Sequence, residues 1–323
     1  MILVTGASGF LGGELVKQLV FQGEQVRIIK RKHSDLSHLQ AFQNKLEITE
    51  GDILDIPSLE TACEGIDKIY HAAAVIGYDA SYYDKMYKTN IEGTANVVNI
   101  ALYKNVKKIV HISSVAAIGG KPDVEIDEET KWEKNEWTTH YGITKMLAER
   151  EIWRGVQEGL DAVIVNPGII IGVGNDEHKA TLRLFRQIAT RKLPFYTPGS
   201  IGFIDVEDCA RACIDLMECK KTAERFILVN ETLTYKNYFE KIAQALQVAP
   251  PQMKLNRYSG RFFVFLDAML STFSSRKRGL TAENLKIAME NFHYKNDKFV
   301  NQFSFTYTPM DVTINNIAKH IKQ

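Results

Sequence analysis

Ser114, Tyr141 and Lys145 are side chains that could together move a proton onto a carbonyl oxygen. Tyr141 and Lys145 lie one helical turn apart, and segment 143–156 has the apolar pattern of a helix that would put them on one face. A free phenol has a pKa of about 10, too high for efficient proton exchange at neutral pH, so a nearby ammonium must favour the phenolate. Lys145 is placed for that. Tyr141 then donates a proton to the oxygen as hydride reaches the carbon, and accepts it in the reverse direction. Ser114, leaving the strand-like run 108–113 at its carboxyl end, is placed to hydrogen-bond the same oxygen and stabilise its developing charge. A hydride needs a carrier, and the amino terminus offers a grip for one. Gly6-x-x-Gly9-x-x-Gly12 follows the apolar run Met1 to Val4, and Leu11, Leu15, Leu19 and Val20 then repeat at helical spacing. Gly6 and Gly9 carry no Cβ to block a pyrophosphate, which sits on the free N–H groups and positive end of the new helix. Gly12 lets that helix pack close on the strand, and Ser8, Phe10 and Leu11 complete the turn.

These groups need a scaffold, and the chain alternates strand and helix patterns. Segments 25–30, 46–50, 68–71, 108–113 and 162–166 are strand-like with helical patterns between them, which means a parallel α/β sheet, doubly wound in the Rossmann manner. After Pro167 the rhythm loosens. Segments 202–208 and 225–229 are expected to return to the sheet, and a mixed helical region starts at about Tyr235. The expected organisation is a dinucleotide-binding domain over 1–167 with return segments in 202–229. A smaller, discontinuous substrate lobe takes 168–201 and 230–323.

With 323 residues, 45% hydrophobic content and a net charge of +1, the chain has the composition of one soluble, enzyme-sized unit. The basic runs 30–32 and 276–278 are short, so nothing calls for nucleic acid. Cys63, Cys209, Cys213 and Cys219 show no paired metal spacing, and Cys209 and Cys213 fall one turn apart among apolar residues, as buried thiols in a reducing compartment do. No signal peptide precedes the first strand, so a cytoplasmic address is expected.

TGASGFLG, Gly51-Asp52, His71-Ala72-Ala73-Ala74, Asn90-Ile91-Glu92-Gly93-Thr94, Ser113-Ser114, Tyr141-x-x-x-Lys145, Asn166-Pro167-Gly168 and Phe203-Ile204-Asp205-Val206-Glu207-Asp208 follow one another along the chain. In this series the chain resembles the extended short-chain dehydrogenase/reductase family, of the NAD-dependent epimerase/dehydratase superfamily, over most of its length. The tail, Tyr294-Lys295-Asn296-Asp297-Lys298 followed by Thr308-Pro309-Met310, is similar to that of the dihydroflavonol-reductase-like and hydroxysteroid-dehydrogenase-like branch. The resemblance implies Ser114 rather than Ser113 in the catalytic slot, because Gly119 then falls on the family's glycine. It implies that Lys145 also holds the nicotinamide ribose, that Asp52 and Ile53 border the adenine, and that Ala72, Ala73 and Ala74 line the cofactor's mid-section. Asn90, Tyr141, Pro167 and Gly168 are further implied cofactor contacts. Asn90 resembles the family's supporting asparagine, with a helix-shaping side chain as the alternative. A homodimer through helices around 90–103 and 141–156 is also implied.

A carboxylate after the second strand would bind the ribose 2′-OH of NAD, whereas a cation there accommodates the 2′-phosphate of NADP. Here strand 26–29 runs into Lys30-Arg31-Lys32, with no acid until Asp35, which favours NADP(H). Arg31 occupies the position of the phosphate-binding arginine in the resembling reductases, and Lys32 and Ser34 stand ready to assist. A solvated basic turn without ligand is the alternative.

Dehydratases of the resembling family need an Asp-Glu pair just after the Ser/Thr; this chain has Val115 and Ala116. Sugar-nucleotide enzymes there commonly carry an arginine that by register falls on Ile201, although Arg257 or Arg261 could compensate. These departures favour net NADPH-dependent reduction of a ketone or aldehyde. A nucleotide-sugar epimerase using bound NAD is the second reading, and a non-catalytic NAD(P)-sensing protein the third. Segment 262–273 is apolar nearly all round and too short for a bilayer, which needs about 20 residues. It reads as a core helix, a pocket wall or an interfacial helix. As a pocket wall it would imply a partly apolar small-molecule substrate, with Tyr78, Tyr82, Tyr83 and Met86 adding surface.

Overall fold

The computed structural model describes residues 1–77, 79–174, 179–256, 258–260, 264 and 281–322. Seven parallel strands form the main sheet, in the order Glu224–Leu228, Ala162–Pro167, Lys108–Ile112, Lys68–His71, Ile2–Thr5, Val26–Lys30, Leu46–Glu50. The apolar runs of the inner strands Ile2–Thr5, Lys108–Ile112 and Ala162–Pro167 suit burial on both faces, whereas the edge strand Leu46–Glu50 is mostly exposed. Leu3, Ile69, Ile109 and Ile164 pack beneath Val97, Val98, Ala101 and Ile152 of helices Gly93–Tyr103 and His140–Gln157. Val4, Ile28, Val110 and Val165 meet Leu11, Leu15 and Leu19 of helix Phe10–Phe21 and Cys209, Cys213 and Leu216 of helix Val206–Glu218. Each such side chain contributes about 1.5–3 kcal/mol on burial. Ile2 pairs with Val26 on one side and Lys68 on the other, so the strand order reverses beside the first strand. A crevice opens there, at the carboxyl ends of the strands, where α/β proteins bind ligands.

The expectation for 202–208 needs correction. The strand is Ser200–Asp205, and it lies in a separate three-stranded sheet, parallel to Ile169–Ile171 and antiparallel to Glu231–Thr234. It stops because Asp205 caps the next helix, its Oδ1 accepting the Glu207 N–H at 2.7 Å, with Glu207 and Asp208 in the first turn. Of the two expected return segments, only Glu224–Leu228 joins the main sheet, at its edge beside Ala162–Pro167. The small sheet packs against helices Tyr235–Leu246 and Met310–Lys322 through Phe203, Leu233, Tyr238, Ile242 and Ile314. Cys63, Cys209 and Cys213 are buried free thiols and Cys219 is half-buried.

Tyr78, Arg257, Arg261, the basic run 276–278 and the apolar segment 262–273 apart from Val264 lie outside the described residues. Among the described residues no helix is long and apolar enough to cross a membrane.

Candidate active site

The glycine turn is built as its spacing requires. Gly6 adopts φ +74°, and a Cβ there would fall 2.6 Å from the Ala72 carbonyl carbon and the Ala73 nitrogen. A Cβ on Gly12 would collide with the Gly6 carbonyl, so Gly12 packs the helix on the turn itself rather than on the strand. Helix Phe10–Phe21 begins at Gly9 without a side-chain cap and with no acid in its first turn, which leaves an electropositive end. In front of it runs an open groove of about 140 Å³ lined by Gly6, Ser8, Gly9, Arg31, Asp52, Ile53 and Ala72 to Ala74, together with Ile29, Lys30, Ser34, Gly51, Val75 and Thr89. The Cβ-free turn, the uncapped helix end and the small side chains of Ala72 to Ala74 suit the pyrophosphate and middle of a dinucleotide. Lys30 is partly committed, its Nζ lying 3.8 Å from Glu50 Oε2 and donating to the Lys32 carbonyl at 3.4 Å. Arg31 is exposed; its carbonyl accepts the Ser34 N–H at 2.9 Å, and its guanidinium makes no hydrogen bond or ion pair with the described residues.

Lys32, Phe10, Leu11, Gly12, Pro167 and Gly168 do not line this groove, nor do Asn90, Tyr141 and Lys145. Phe10 instead borders a small neighbouring cleft with Gly9, His38 and Gly174.

Tyr141 and Lys145 both belong to helix His140–Gln157, which starts three residues earlier than the apolar pattern predicts. Thr139 explains the start: its Oγ1 accepts the Gly142 N–H at 2.9 Å. Tyr141 is half-buried, and Lys145 is 1% exposed. Lys145 Nζ donates to the Ile112 carbonyl at 2.7 Å, anchoring the ammonium at the end of the Lys108–Ile112 strand. Burial pulls its pKa down to about 8, against a smaller opposing effect of the Glu149 carboxylate, so it remains charged at neutral pH. Ser114 follows that strand and is half-buried, its Oγ accepting the Ala116 N–H at 3.2 Å. Its own hydroxyl proton can therefore point to a ligand. The Ser113 hydroxyl is directed elsewhere, donating to Glu149 Oε1 at 2.5 Å.

Glu149 is a residue the sequence reading missed. It stands one turn beyond Lys145, 2% exposed, and also accepts from Asn166 Nδ2 at 2.6 Å and pairs with Arg225 Nη2 at 3.3 Å. The same Asn166 amide donates to the Ser114 carbonyl at 2.9 Å, so Glu149 braces Ser114 through Asn166. The repeat Tyr141, Lys145, Glu149 at four-residue spacing was the available signal.

Asn90 is 1% exposed, and its side chain bonds neighbouring segments rather than its own helix. Its amide accepts from the Val75 N–H at 2.7 Å, donates to the Val75 carbonyl at 3.0 Å and to Thr144 Oγ1 at 3.0 Å. It thereby ties the groove wall to the Tyr141 helix, within a π-helical turn Tyr87–Glu92. Behind it, Ala73 N–H donates to Thr5 Oγ1, Thr5 bonds His71 Nδ1 at 2.8 Å, and His71 Nε2 bonds Thr94 Oγ1 at 2.9 Å. Thr94 gives its proton to the Asn90 carbonyl at 2.6 Å, so His71 must donate from Nε2 and accept at Nδ1. It is neutral; burial, then the Lys145 charge, lowers its pKa to about 3. Met86 is core, whereas Tyr83 stacks on His140 with ring centroids 3.7 Å apart. No group of His, Cys, Asp or Glu among the described residues could hold a metal ion.

A doubly wound sheet with a capless glycine turn facing a long groove, and a Tyr-Lys helix beside it, defines an NAD(P)-dependent enzyme of the extended short-chain dehydrogenase/reductase type. The chain belongs to the NAD dependent epimerase/dehydratase family, whose model matches residues 2–229. It is similar to sterol demethylase protein B of Methylococcus capsulatus, 30% identical over 232 residues covering 72% of this chain and 70% of the relative. It is 29% identical to cinnamoyl-CoA reductase 1 of Petunia hybrida, over 72% of this chain and 73% of that one. A Synechocystis protein provisionally named dihydroflavonol 4-reductase is 27% identical over 93% of this chain and 88% of its own length. Among solved structures, gox2253 matches with a TM-score of 0.85 at 28% identity, covering 100% of this chain and 98% of that one. UDP-glucose 4-epimerase of Thermotoga maritima shares the fold, with a TM-score of 0.80 at 16% identity over 99% of this chain and 98% of its own.

Proposed function

We propose that the chain is a reversible NADPH-dependent reductase of a ketone or aldehyde that is partly apolar. The observation that carries this reading is the buried Lys145 ammonium, anchored on the carbonyl of Ile112 two residues before Ser114 and one helical turn from Tyr141, with aliphatic Val115 and Ala116 after Ser114. Those two side chains cannot exchange protons, so the Asp-Glu pair on which the resembling dehydratases rely for eliminating water is missing. Ile201 offers no donor to a sugar-nucleotide diphosphate, and reductases stand among the relatives.

NADPH, when bound, supplies the hydride. Gly6, Ser8 and Gly9 with the start of helix Phe10–Phe21 would hold its pyrophosphate, Asp52 and Ile53 its adenine, Ala72 to Ala74 its middle and Lys145 its ribose. Arg31, with Ser34 beside it, would take the 2′-phosphate, for which an unpaired guanidinium is suited. Ser114 Oγ donates a hydrogen bond to the substrate oxygen. Tyr141 gives that oxygen its phenol proton, and the Lys145 charge stabilises the phenolate left behind. Asn166 and Glu149 hold Ser114 in place. Residues 168–201 and 230–323 supply the substrate side.

The test is NADPH oxidation with a panel of aromatic and aliphatic aldehydes and ketones. Tyr141→Phe is expected to lower kcat about 10²- to 10⁴-fold while NADPH affinity stays the same. Turnover that survives in Tyr141→Phe, or NAD that copurifies and exceeds NADPH in affinity, refutes the reading; the second result points to an epimerase.

A further inference from the structure

The helix that carries Tyr141 is gripped from a part of the chain far away in sequence. The N–H of His140, immediately before Tyr141, donates to Glu283 Oε1 at 2.7 Å. Glu283 sits in the first turn of helix Ala282–Ala288, which Thr281 caps by accepting the Asn284 N–H at 3.2 Å. One turn further, Lys286 pairs with Glu136 at 2.8 Å, and Ile287 packs with Trp137 on a cluster that includes Val115 and Ile118. Helix 282–288 is thus seamed to the segment leading into Tyr141 by an anion, an ion pair and an apolar contact.

Further groups close the same corner. The His140 ring lies on Tyr83 at an interplanar angle of 21°. Burial, then the Glu283 and Asp79 carboxylates, raise the Tyr83 phenol above its ordinary value, which puts the Glu283 charge within reach of this stack. Glu283 therefore lies against His140 and bears on Tyr83, on which Asp79 also acts, with the Lys286–Glu136 pair one turn away. Lys145 bears on Tyr141 from the next turn of its own helix. A carboxylate at the amino end of a helix satisfies a free N–H and meets the positive end of the dipole. Here it also sets a negative charge one residue from Tyr141.

We infer that Glu283 is a positioning residue of the Tyr141 site: it fixes the first turn of the Tyr141 helix and, by its charge, opposes the phenolate that Lys145 favours. The inference rests on the reading of Tyr141 as the proton donor. With helix 282–288 docked, the phenol keeps its proton, the form that carbonyl reduction consumes. The docked segment thereby links the acidity of Tyr141 to the C-terminal part of the chain.

The experiment needs no substrate. The full-length protein is titrated with base while the near-ultraviolet phenolate band is followed, and the Tyr141→Phe curve is subtracted to isolate Tyr141. The same pair is measured with Glu283→Gln, which keeps an acceptor oxygen but no charge, and with Glu283→Asp, which keeps the charge. Glu283→Gln is expected to lower the Tyr141 midpoint by about half a pH unit, and Glu283→Asp to hold it near that of the unsubstituted protein. A midpoint that is unchanged or raised in Glu283→Gln, with native circular dichroism, overturns the inference. A midpoint that fails to rise in Lys145→Met overturns the Tyr141–Lys145 reading instead, whatever Glu283 does.

Discussion

Replacing Lys145 by methionine should stabilise the protein while abolishing turnover. Lys145 is 1% exposed, its Nζ makes one hydrogen bond among the described residues, to the Ile112 carbonyl, and the Glu149 carboxylate offsets less than burial costs. Lowering a lysine from its ordinary 10.5 to about 8 corresponds to about 3 kcal/mol against the charged form at neutral pH. Methionine keeps the volume, removes the buried charge and forfeits one hydrogen bond worth about 1 kcal/mol. The net gain expected at pH 7, in cofactor-free protein, is about 2 kcal/mol. Its pH dependence follows from the sign of the shift. The unfolded lysine holds its proton up to about 10.5 and the folded one releases it near 8, so between these values the unfolded state binds more protons. Raising the pH through that window stabilises the unsubstituted protein and leaves Lys145→Met unaffected by this group. Urea unfolding at several pH values from 7 to 10 should show the advantage of the variant shrinking steadily above pH 8. A variant no more stable than the parent at pH 7, or an advantage independent of pH, would refute the assignment of a desolvated, functional ammonium.

Arg31→Ala should weaken NADPH binding about tenfold, or about 1.4 kcal/mol, and leave NADH unchanged in a nicotinamide fluorescence titration at fixed salt; equal losses for both would remove the phosphate contact. Glu149→Ala should cost about 3–5 kcal/mol in urea unfolding, because Arg225, Ser113 and Asn166 lose a common buried acceptor. Substituting Arg225 by Met in that background should recover part of the loss, and simple additivity would count against the shared network. Burial keeps His71 and His111 neutral, so their contribution is whole above about pH 6.5 and is lost as the pH falls toward the His71 value of about 3. Neither ring nitrogen of His111 is hydrogen-bonded among the described residues. His111→Phe should therefore flatten the decline of stability below pH 6.5, and an unchanged slope would refute the link.

The parts legible in the sequence are those with a local cause. The glycine turn was readable because the missing Cβ atoms at Gly6 and Gly12 serve contacts within the turn or with the adjacent Ala72 strand end. Most strands were readable because a strand buried on both faces is a continuous apolar run, and Tyr141 and Lys145 because a helical turn fixes their spacing. Long-range pairing was out of reach of such patterns. Segment 202–208 has an apolar start that suits either sheet, and only its partners, Ile169–Ile171 and Glu231–Thr234, assign it to the smaller one. Its end at Asp205 turns on a side-chain cap rather than on hydrophobicity. Ser113 and Ser114 are adjacent hydroxyls with the same intrinsic chemistry, and the structure separates them because strand pleating turns Ser113 to the buried Glu149. The contacts of Glu149 with Arg225 and of Glu283 with His140 join residues 76 and 143 positions apart. Residue types set what chemistry each side chain can do. Folding sets which of them share a dry, fixed environment, because charge and hydrogen bonding depend on distance and burial, and neither is a property of sequence spacing.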